Sequence, residues 1–262
     1  MIDNEREITI GSDSIHATHH LAAGDKFVVV APPLFEECVR LRKVLVNLSR
    51  YLSSEGYDVV RFDYYGTGYS PGRYAELTLQ RAQQNLADAI EYCKSQGASG
   101  VQAIGVRFGG YVALRAIGDD SVSRLVVWEP VVDTAAYVKE VLRADVATQM
   151  LIYGKPRQDR DSLVKTIQAD GHVQVEGYCI GRDLYDEFAE GPAITAESLA
   201  PVAKKSSFIY WQSRREHKRW SSAGIRSHWV DGVRFAFNHI RHLEPRSEAL
   251  YRQTLEELQL DG

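Results

Sequence analysis

One short motif carries the residues most relevant to chemistry. Residues 105–110 read Gly-Val-Arg-Phe-Gly-Gly, with the glycine spacing of the G-x-S-x-G turn that presents a nucleophilic serine, but Arg107 occupies the serine position. A guanidinium with a pKa above about 12 neither attacks a carbonyl group nor accepts a proton near neutral pH. The sequence therefore excludes ordinary serine acyl transfer through residue 107.

The residues on either side predict the strand, turn and helix that this motif needs. The apolar run 101–104 is typical of a buried strand, and residues 111–116 are typical of a buried helix. Gly105, Gly109 and Gly110 leave room for a sharp turn. We expect Arg107 to stand at the helix N-terminus, where free N–H groups also favour an anion.

Three glutamates are candidate partners of this arginine. Glu36 and Glu37 lie in the loop after the first predicted core strand, and Glu129 ends a later strand. A cation at a crowded turn needs a group that offsets its desolvation, so we expect Arg107 to pair with Glu36, Glu37 or Glu129. The alternative is that Arg107 anchors an anionic substrate while Glu36 or Glu37 acts as a general base.

Other residues near these charges have weaker claims to a role. Phe35 and Phe108, together with Glu129, are the predicted substrate contacts. Cys38 stands at the first turn of a predicted helix and Ser70 in a glycine-rich loop, so either could serve as a substitute nucleophile. We expect structural roles for both, because structural cysteines and serines outnumber reactive ones.

The elements that position these residues alternate along the chain. Apolar runs at 26–32, 57–63, 101–104, 123–129 and 207–212 predict strands, and amphipathic patterns at 38–52, 79–93 and 247–258 predict helices. A short strand is also expected around 233–237. This order predicts an α/β fold, a mostly parallel twisted sheet with helices on both faces, and a site at the carboxyl ends of the strands.

Two segments depart from this alternation. The first two dozen residues predict an antiparallel edge hairpin, with His16, His19 and His20 as surface residues and no metal site. Residues 131 to about 203 are mostly helical in pattern, with helices expected at 135–153, 160–169 and 183–190. We therefore predict a core of residues 1–130 and 204–262 with a helical lid inserted at 131–203.

Composition limits the class of protein. The 262 residues are 44% hydrophobic and 25% charged with a formal net charge of -4, which favours one globular unit and gives no case for nucleic acid binding. Three cysteines lack metal-site spacing, the first residues are too charged for a signal peptide, and no apolar run approaches the roughly 18 residues of a bilayer span. We expect a cytoplasmic protein without cofactor or metal, acting on a small acylated or anionic molecule. The oligomeric state is open, a homodimer included.

Several motifs together resemble a known superfamily. Residues 63–70, Asp-Tyr-Tyr-Gly-Thr-Gly-Tyr-Ser, resemble the D-x-x-G-x-G-x-S segment of the α/β-hydrolases. More narrowly, the chain is similar to the second type of exosortase A system-associated hydrolase, through residues 32–37, the arginine-bearing turn, and residues 128–132 and 175–178. The resemblance implies an α/β-hydrolase fold and the description "hydrolase", although a fold does not establish chemistry.

The superfamily's chain order also suggests where an acid and a histidine would lie. It places Glu216 in the acid position and His242, or else His239, in the histidine position, with His228 as a third candidate. Such a pair could activate water, because histidine titrates near neutrality and a carboxylate fixes its tautomer. The alternative is that all four are surface loop residues.

Three functions fit these observations. The first is an enzyme of this fold that uses Arg107 as an anchor and a Glu or His for acid–base chemistry. The second is an inactive pseudo-hydrolase that binds a ligand or a protein partner, and the third is a hydrolase whose nucleophile has moved to Cys38 or Ser70. We favour the first, since several ionisable groups remain near Arg107.

Overall fold

A single large sheet organises the protein. The computed structural model describes residues 4–118, 121–233 and 247–260. Its strands are β1 (Glu5–Ile10), β2 (Ile15–His20), β3 (Lys26–Ala31), β4 (Asp58–Phe62), β5 (Gly100–Val106), β6 (Arg124–Trp128), β7 (His172–Val175), β8 (Tyr178–Gly181), β9 (Ser206–Tyr210) and β10 (Ser227–Trp229). Eight of them form a sheet in the order β1-β2-β4-β3-β5-β6-β9-β10, and β7 and β8 form a separate hairpin.

Nine α-helices accompany these strands within the described residues. They are α1 (Phe35–Ser54), α2 (Leu79–Ser95), α3 (Phe108–Ala116), α4 (Thr134–Tyr153), α5 (Arg160–Asp170), α6 (Arg182–Glu190), α7 (Ala196–Leu199), α8 (Arg214–Ser222) and α9 (Glu248–Leu258). The predicted helices at 38–52, 79–93 and 247–258 correspond to α1, α2 and α9.

The sheet is parallel apart from its first two strands. β1 pairs antiparallel with β2, and β2 pairs antiparallel with β4, whereas the pairs from β4 through β10 are all parallel. The parallel strands all end at one edge, so the residues that follow β3, β5 and β6 come close together. The sequence prediction of a mostly parallel sheet is confirmed.

Alternate residues of the central strands pack into opposite layers. In β3, Val29 belongs to the core layer that contains Leu86 of α2, whereas Val28 belongs to the layer that contains Leu48 of α1 and Tyr251 of α9. This alternation follows from the two-residue repeat of a strand and explains why β3 is a continuous apolar run. Helices on both faces therefore hold the sheet rigid beneath its carboxyl edge.

The edge hairpin predicted for the first two dozen residues is confirmed by β1 and β2, but the prediction that its histidines lie on the surface is wrong for His19 and His20. β2 lies between β1 and β4, and His19 and His20 are only 2% and 1% exposed. His19 Nε2 lies 2.8 Å from Asp58 Oδ1. Polar side chains are tolerated inside when they are hydrogen-bonded, so composition alone misidentified these two side chains as exposed. The described residues contain no cluster of three or more groups suited to a metal ion.

The segment 131–203, called the cap segment below, contains the three helices predicted for it. They are α4, α5 and α6, joined by the hairpin of β7 and β8, which the sequence did not predict. That this segment is an inserted lid remains a prediction. The strand expected at 233–237 falls, apart from Val233, outside the described residues, and the structure has instead β10 at Ser227–Trp229.

No helix in the described ranges combines the length and apolar character needed to cross a membrane.

Candidate functional site

Arg107 occupies a strained turn between β5 and α3. Its backbone has φ 51° and ψ -114°, a combination that residues with a side chain rarely adopt. Crowding around the turn explains the glycines, because a Cβ on Gly105 would lie 2.6 Å from Gly110 Cα and one on Gly109 would meet the carbonyl of Ala31. The predicted strand, turn and helix are therefore confirmed.

The side chain of Arg107 forms an ion pair with Glu37. Its Nε lies 3.0 Å from Glu37 Oε1, and its Nη1 donates to the backbone carbonyl of Glu129 at 3.2 Å. The two charged side chains are 17% and 11% exposed. Burial is the largest single influence and lowers the pKa of Arg107, but the charge and hydrogen bond of Glu37, together with Tyr137 and Glu129, offset it and the pKa is raised overall. Of the three glutamates offered by the sequence, Glu37 supplies the partner carboxylate.

Tyr137 of α4 holds the other oxygen of that carboxylate. Its hydroxyl donates to Glu37 Oε2 at 3.0 Å, and its ring lies 5.7 Å from Arg107 Cζ. Burial and the charge of Glu37 raise the pKa of Tyr137 well above its usual value, so the phenol stays protonated at neutral pH. Arg107, Glu37 and Tyr137 thus form one hydrogen-bonded group that joins the sheet, α1 and the cap segment.

Glu36 has different partners from its neighbour. Its Oε2 accepts from Tyr178 Oη at 3.3 Å, and its Oε1 lies 3.4 Å from Arg40 Nε. Its side chain is 38% exposed, against 11% for Glu37. Glu36 therefore contacts the hairpin of the cap segment, and Glu37 is the carboxylate bound to Arg107.

An aromatic cluster surrounds the start of α1. Phe35 has φ 54°, and its ring centroid lies 5.7 Å from Tyr74, 6.1 Å from Tyr137 and 5.8 Å from Tyr178. The backbone N–H of Phe35 donates to the hydroxyl of Tyr74 at 3.2 Å. This N–H lies in the loop after the first core strand, where an oxyanion donor would be expected, and Tyr74 already occupies it.

Phe108 is part of the core beneath this cluster. It is fully buried, with ring centroids 5.9 Å from Tyr64 and 5.3 Å from Phe188 of α6. The structure thus gives Phe108 a packing role between the sheet layer and the cap segment. Its contact with a substrate stays a prediction.

Glu129 ties two strand ends together. It has φ 42°, and its Oε1 accepts the backbone N–H groups of Trp211 at 2.7 Å, Gln212 at 2.5 Å and Ser213 at 3.3 Å. Backbone N–H groups bonded to a carboxylate form charge-assisted hydrogen bonds, which are shorter and stronger than neutral ones. Glu129 thus fixes the turn after β6 against the turn after β9, and it meets Arg107 through its backbone carbonyl.

Three strained residues therefore meet at one edge of the sheet. Phe35, Arg107 and Glu129 follow β3, β5 and β6, which are neighbours, and each has a positive φ. Such conformations cost on the order of 1–3 kcal/mol each and persist where the surrounding structure imposes them, often at functional sites. This edge of the sheet thus combines backbone strain with buried charge.

The other acid and histidine candidates that the structure describes, Glu216 and His228, have partners of their own. Glu216 lies on α8 and pairs with Arg219 at 3.2 Å. His228 lies on β10, where its Nε2 is 3.0 Å from Glu257 Oε1. His239 and His242 fall outside the described residues.

The two substitute nucleophiles have structural environments. Burial raises the pKa of Cys38 to about 11, with a further contribution from Asp63, so little thiolate exists at neutral pH. Ser70 Oγ donates to the carbonyl of Asp63 at 2.6 Å and accepts the N–H of His16 at 2.9 Å. Ser70 thus closes the loop after β4 onto β2.

The sequence did not single out Tyr74, Tyr137 or Tyr178 as site residues. Tyr178 lies in the stretch 175–178 that carries part of the family resemblance, which was the one available signal. Tyr74 and Tyr137 stand in ordinary loop and helix patterns. Only the three-dimensional packing brings them to Phe35 and Glu37.

A comparison with protein families places this geometry in context. The model of a family described as "Acyl transferase" matches residues 2–172, nearly two thirds of the chain. This chain belongs to that acyl transferase family. The matched part includes Arg107, Glu37, Glu129 and Tyr137. A comparison with curated proteins gives no match.

Solved structures of similar fold are esterases and related hydrolases. Est1E from Butyrivibrio proteoclasticus, solved with ferulic acid bound, matches with a TM-score of 0.64 and 16% identity over 96% of this chain and 99% of its own. The Pyrococcus furiosus esterase Pf2001 matches with a TM-score of 0.62 and 16% identity, over 98% of this chain and 92% of its own. The α/β hydrolase GrgF from Penicillium sp. sh18 matches with a TM-score of 0.61 and 14% identity, over 97% of this chain and 96% of its own. At this identity the likeness establishes the α/β-hydrolase fold, as the sequence resemblance implied.

Proposed function

We propose that this member of the acyl transferase family transfers an acyl group directly to water or to an alcohol, without a covalent acyl-enzyme. The substrate is a small acylated molecule, and Arg107 and Glu37 are the reacting side chains. The observation that carries the proposal is the buried Arg107–Glu37 pair at a turn with φ 51°. A strained backbone that holds a paired cation and carboxylate at the expected edge of the sheet is typical of a functional site.

The proposed reaction starts with an exchange of partners. The acyl carbonyl oxygen takes the place of Glu37 beside the Arg107 guanidinium, which then faces the position where negative charge develops. Glu37, released from this cation, becomes a stronger base. Tyr137 remains hydrogen-bonded to the other carboxylate oxygen and keeps it in position.

The bonds and protons of this step balance without a cofactor. The acceptor O–H gives its proton to Glu37 while its oxygen bonds to the acyl carbon, which forms a tetrahedral intermediate. The bond from that carbon to the leaving oxygen or sulfur then breaks, and Glu37 returns the proton to the leaving group. Arg107 stays charged throughout, because its pKa lies far above neutrality.

A second candidate is a pseudo-hydrolase that binds such a molecule without turnover. It is favoured by the fact that both oxygens of Glu37 have internal donors and that the N–H of Phe35 is bonded to Tyr74. On this proposal the ion pair stabilises the fold, and the former site retains only its shape. A nucleophile relocated to Cys38 or Ser70 has no comparable support.

The finer assignments are proposals of the same kind. Membership of the second type of exosortase A system-associated hydrolases rests on the motifs at 32–37, 105–110, 128–132 and 175–178. A cytoplasmic location rests on the three free cysteines. The roles of Glu216, His239 and His242 as an acid–histidine pair also remain proposals.

Matched glutamate variants test the proposed reaction. A panel of acyl esters and thioesters is assayed with the wild-type chain, Glu37→Gln and Glu36→Gln. Direct transfer predicts that Glu37→Gln lowers kcat by at least about 100-fold, within the range of a general base, while Glu36→Gln stays within about threefold. A serine-directed fluorophosphonate should label none of the three proteins.

Two outcomes separate the candidates. If no ester or thioester is turned over but one of them raises the melting temperature in both the wild type and Glu37→Gln, the binding function replaces the catalytic one. Stoichiometric fluorophosphonate labelling would overturn both, because it requires an activated serine.

A further inference from the structure

A second group of charged side chains lies away from Arg107, beside the first two strands. A cavity of about 440 Å³ opens between β1, β2, β4 and α1. Its lining includes the guanidinium groups of Arg42 and Arg61, the imidazole of His16, and the carboxylates of Glu7 and Asp63. The reaction proposed above uses none of these groups.

The two carboxylates of the cavity already have partners. Arg42 Nη2 lies 3.4 Å from Asp63 Oδ1, and His16 Nδ1 lies 3.7 Å from Asp63 Oδ2. The other nitrogen of His16 contacts Glu7. Asp63 and Glu7 are therefore matched by groups on α1 and β2, and neither lies within ion-pair distance of Arg61.

Arg61 differs from Arg42 because its hydrogen-bond acceptors are neutral. Its Nε donates to His20 Nε2 at 3.2 Å, and its Nη2 donates to Thr18 Oγ1 at 3.3 Å. Burial and the charge of Arg61 lower the pKa of His20 to about 4, so that ring is uncharged at neutral pH. Within the ranges that the structure describes, Arg61 lies within ion-pair distance of no carboxylate, so its guanidinium is the cation of this lining that has no direct anionic partner.

The rest of the lining is apolar. Val46 and the buried Phe62 contribute side chains, and Tyr69, which is 74% exposed, contributes its ring. The Tyr69 ring centroid lies 5.5 Å from Arg42 Cζ and 5.2 Å from the ring of His16. A ligand with an anionic end and a flat apolar body would meet a suitable surface at each end.

We propose that this cavity is a binding site for a small aromatic or short-chain monocarboxylate. The carboxylate pairs with Arg61, and the apolar body packs against Phe62, Val46 and Tyr69. A planar carboxylate fits the two-pronged guanidinium group. A monoanion needs only the one guanidinium that has no carboxylate partner, whereas the second charge of a phosphate would be repelled by Glu7 and Asp63.

Benzoate is the probe for this site. Isothermal titration calorimetry of the full chain with benzoate should give one site, with an affinity at least tenfold lower in Arg61→Gln. Arg42→Gln should also weaken binding several-fold, because it leaves Asp63 without its cation. Lys43→Gln is the matched control: Lys43 is the exposed neighbour of Arg42 on α1 and does not line the cavity.

A spectroscopic measurement keeps the proposal testable if Arg61→Gln does not fold. The side-chain Nε–H signal of Arg61 in the wild-type protein should shift on addition of benzoate, while that of Arg50 of α1, whose Nε lies 2.6 Å from Glu5 Oε1, should not. No heat and no Arg61 shift at millimolar benzoate would overturn the site. Equal binding of inorganic phosphate, or unchanged benzoate binding in Arg42→Gln, would overturn the assignment to a monocarboxylate.

Discussion

The hydroxyl of Tyr137 donates to Glu37 at 3.0 Å, on the same carboxylate that Arg107 holds at 3.0 Å. Tyr137 belongs to the cap segment, Glu37 to the helix that follows the first parallel strand, and Arg107 to the turn after β5. One buried carboxylate therefore connects three parts of the chain that are far apart in sequence. A substitution at any one of these three residues should therefore alter the hydrogen bonds of the other two.

Removing the arginine should destabilise the fold. In Arg107→Ala the Glu37 carboxylate loses its cation while it remains mostly buried, and we expect a loss of about 3 kcal/mol in the free energy of unfolding. Urea denaturation at pH 7 measures this loss. Arg115→Ala, an exposed arginine at the other end of α3, is the control and should change stability by less than about 0.5 kcal/mol. Equal losses of unfolding free energy in the two variants would contradict a stabilising role of the Arg107–Glu37 ion pair.

The strained backbone at residue 107 predicts that glycine is more stable than alanine there, the reverse of their order inside a helix. With the charge removed by Glu37→Gln, Arg107→Gly should be more stable than Arg107→Ala by about 1 kcal/mol, because φ 51° with ψ -114° suits glycine. At Arg115, inside α3, alanine should be more stable than glycine by about 1 kcal/mol. Urea denaturation of the four variants tests this reversal, and an alanine as stable as glycine at 107 would contradict the strain.

The buried histidine beside Arg61 predicts a pH dependence of stability. Burial and Arg61 lower the pKa of His20 to about 4 in the folded chain, whereas an unfolded histidine has a pKa near 6.5. Between these values the unfolded chain binds a proton that the folded chain does not, so stability is lost as the pH falls from about 6.5 to 4. The loss attributable to His20 is roughly 3 kcal/mol.

Unfolding free energies measured across this pH range test the assignment. His20→Gln should flatten the dependence, whereas His172→Gln, which changes an exposed histidine, should leave it as in the wild type. An unchanged slope in His20→Gln would assign the pH dependence to other groups.

The environment of Cys38 predicts a slow thiol. Since burial raises its pKa to about 11, the thiolate fraction near pH 8 is only about one part in a thousand. Alkylation by iodoacetamide, followed at each cysteine by mass spectrometry, should be at least tenfold slower at Cys38 in the folded chain than in urea. Rapid modification of the folded protein at pH 7 would instead restore Cys38 as a candidate nucleophile.

The turn around Arg107 and the parallel sheet could be predicted from sequence because both depend on local patterns. The spacing of the glycines indicates a turn at which the backbone is crowded within a few residues. A continuous apolar run such as β3 indicates a buried strand. The choice of Glu37 over Glu36 could not be predicted, because the two are adjacent and only the packing of α1 decides which one meets Arg107. Tyr137 was missed for a related reason: its hydroxyl meets Glu37 of α1, which lies 100 residues earlier in the chain.

The burial of His19 and His20 could not be predicted from the sequence. His19 and His20 stand in a stretch of polar letters that suggested exposure, yet Asp58 and Arg61 on the neighbouring β4 provide hydrogen-bond partners inside the sheet. Single-sequence patterning does not record such cross-strand pairs. For the same reason, the sequence did not predict that the hydroxyl of Tyr74 accepts the N–H of Phe35.

The glycines beside Arg107 have a lasting consequence for how this chain can change over time. A side chain at Gly105 would collide with Gly110, and one at Gly110 with Val127, whatever residue stands at 107. Substitutions that alter the reaction are therefore free to occur at the centre of the motif, while its frame is retained for steric reasons alone. The glycine spacing is therefore a constraint of the turn and does not specify which reaction takes place there.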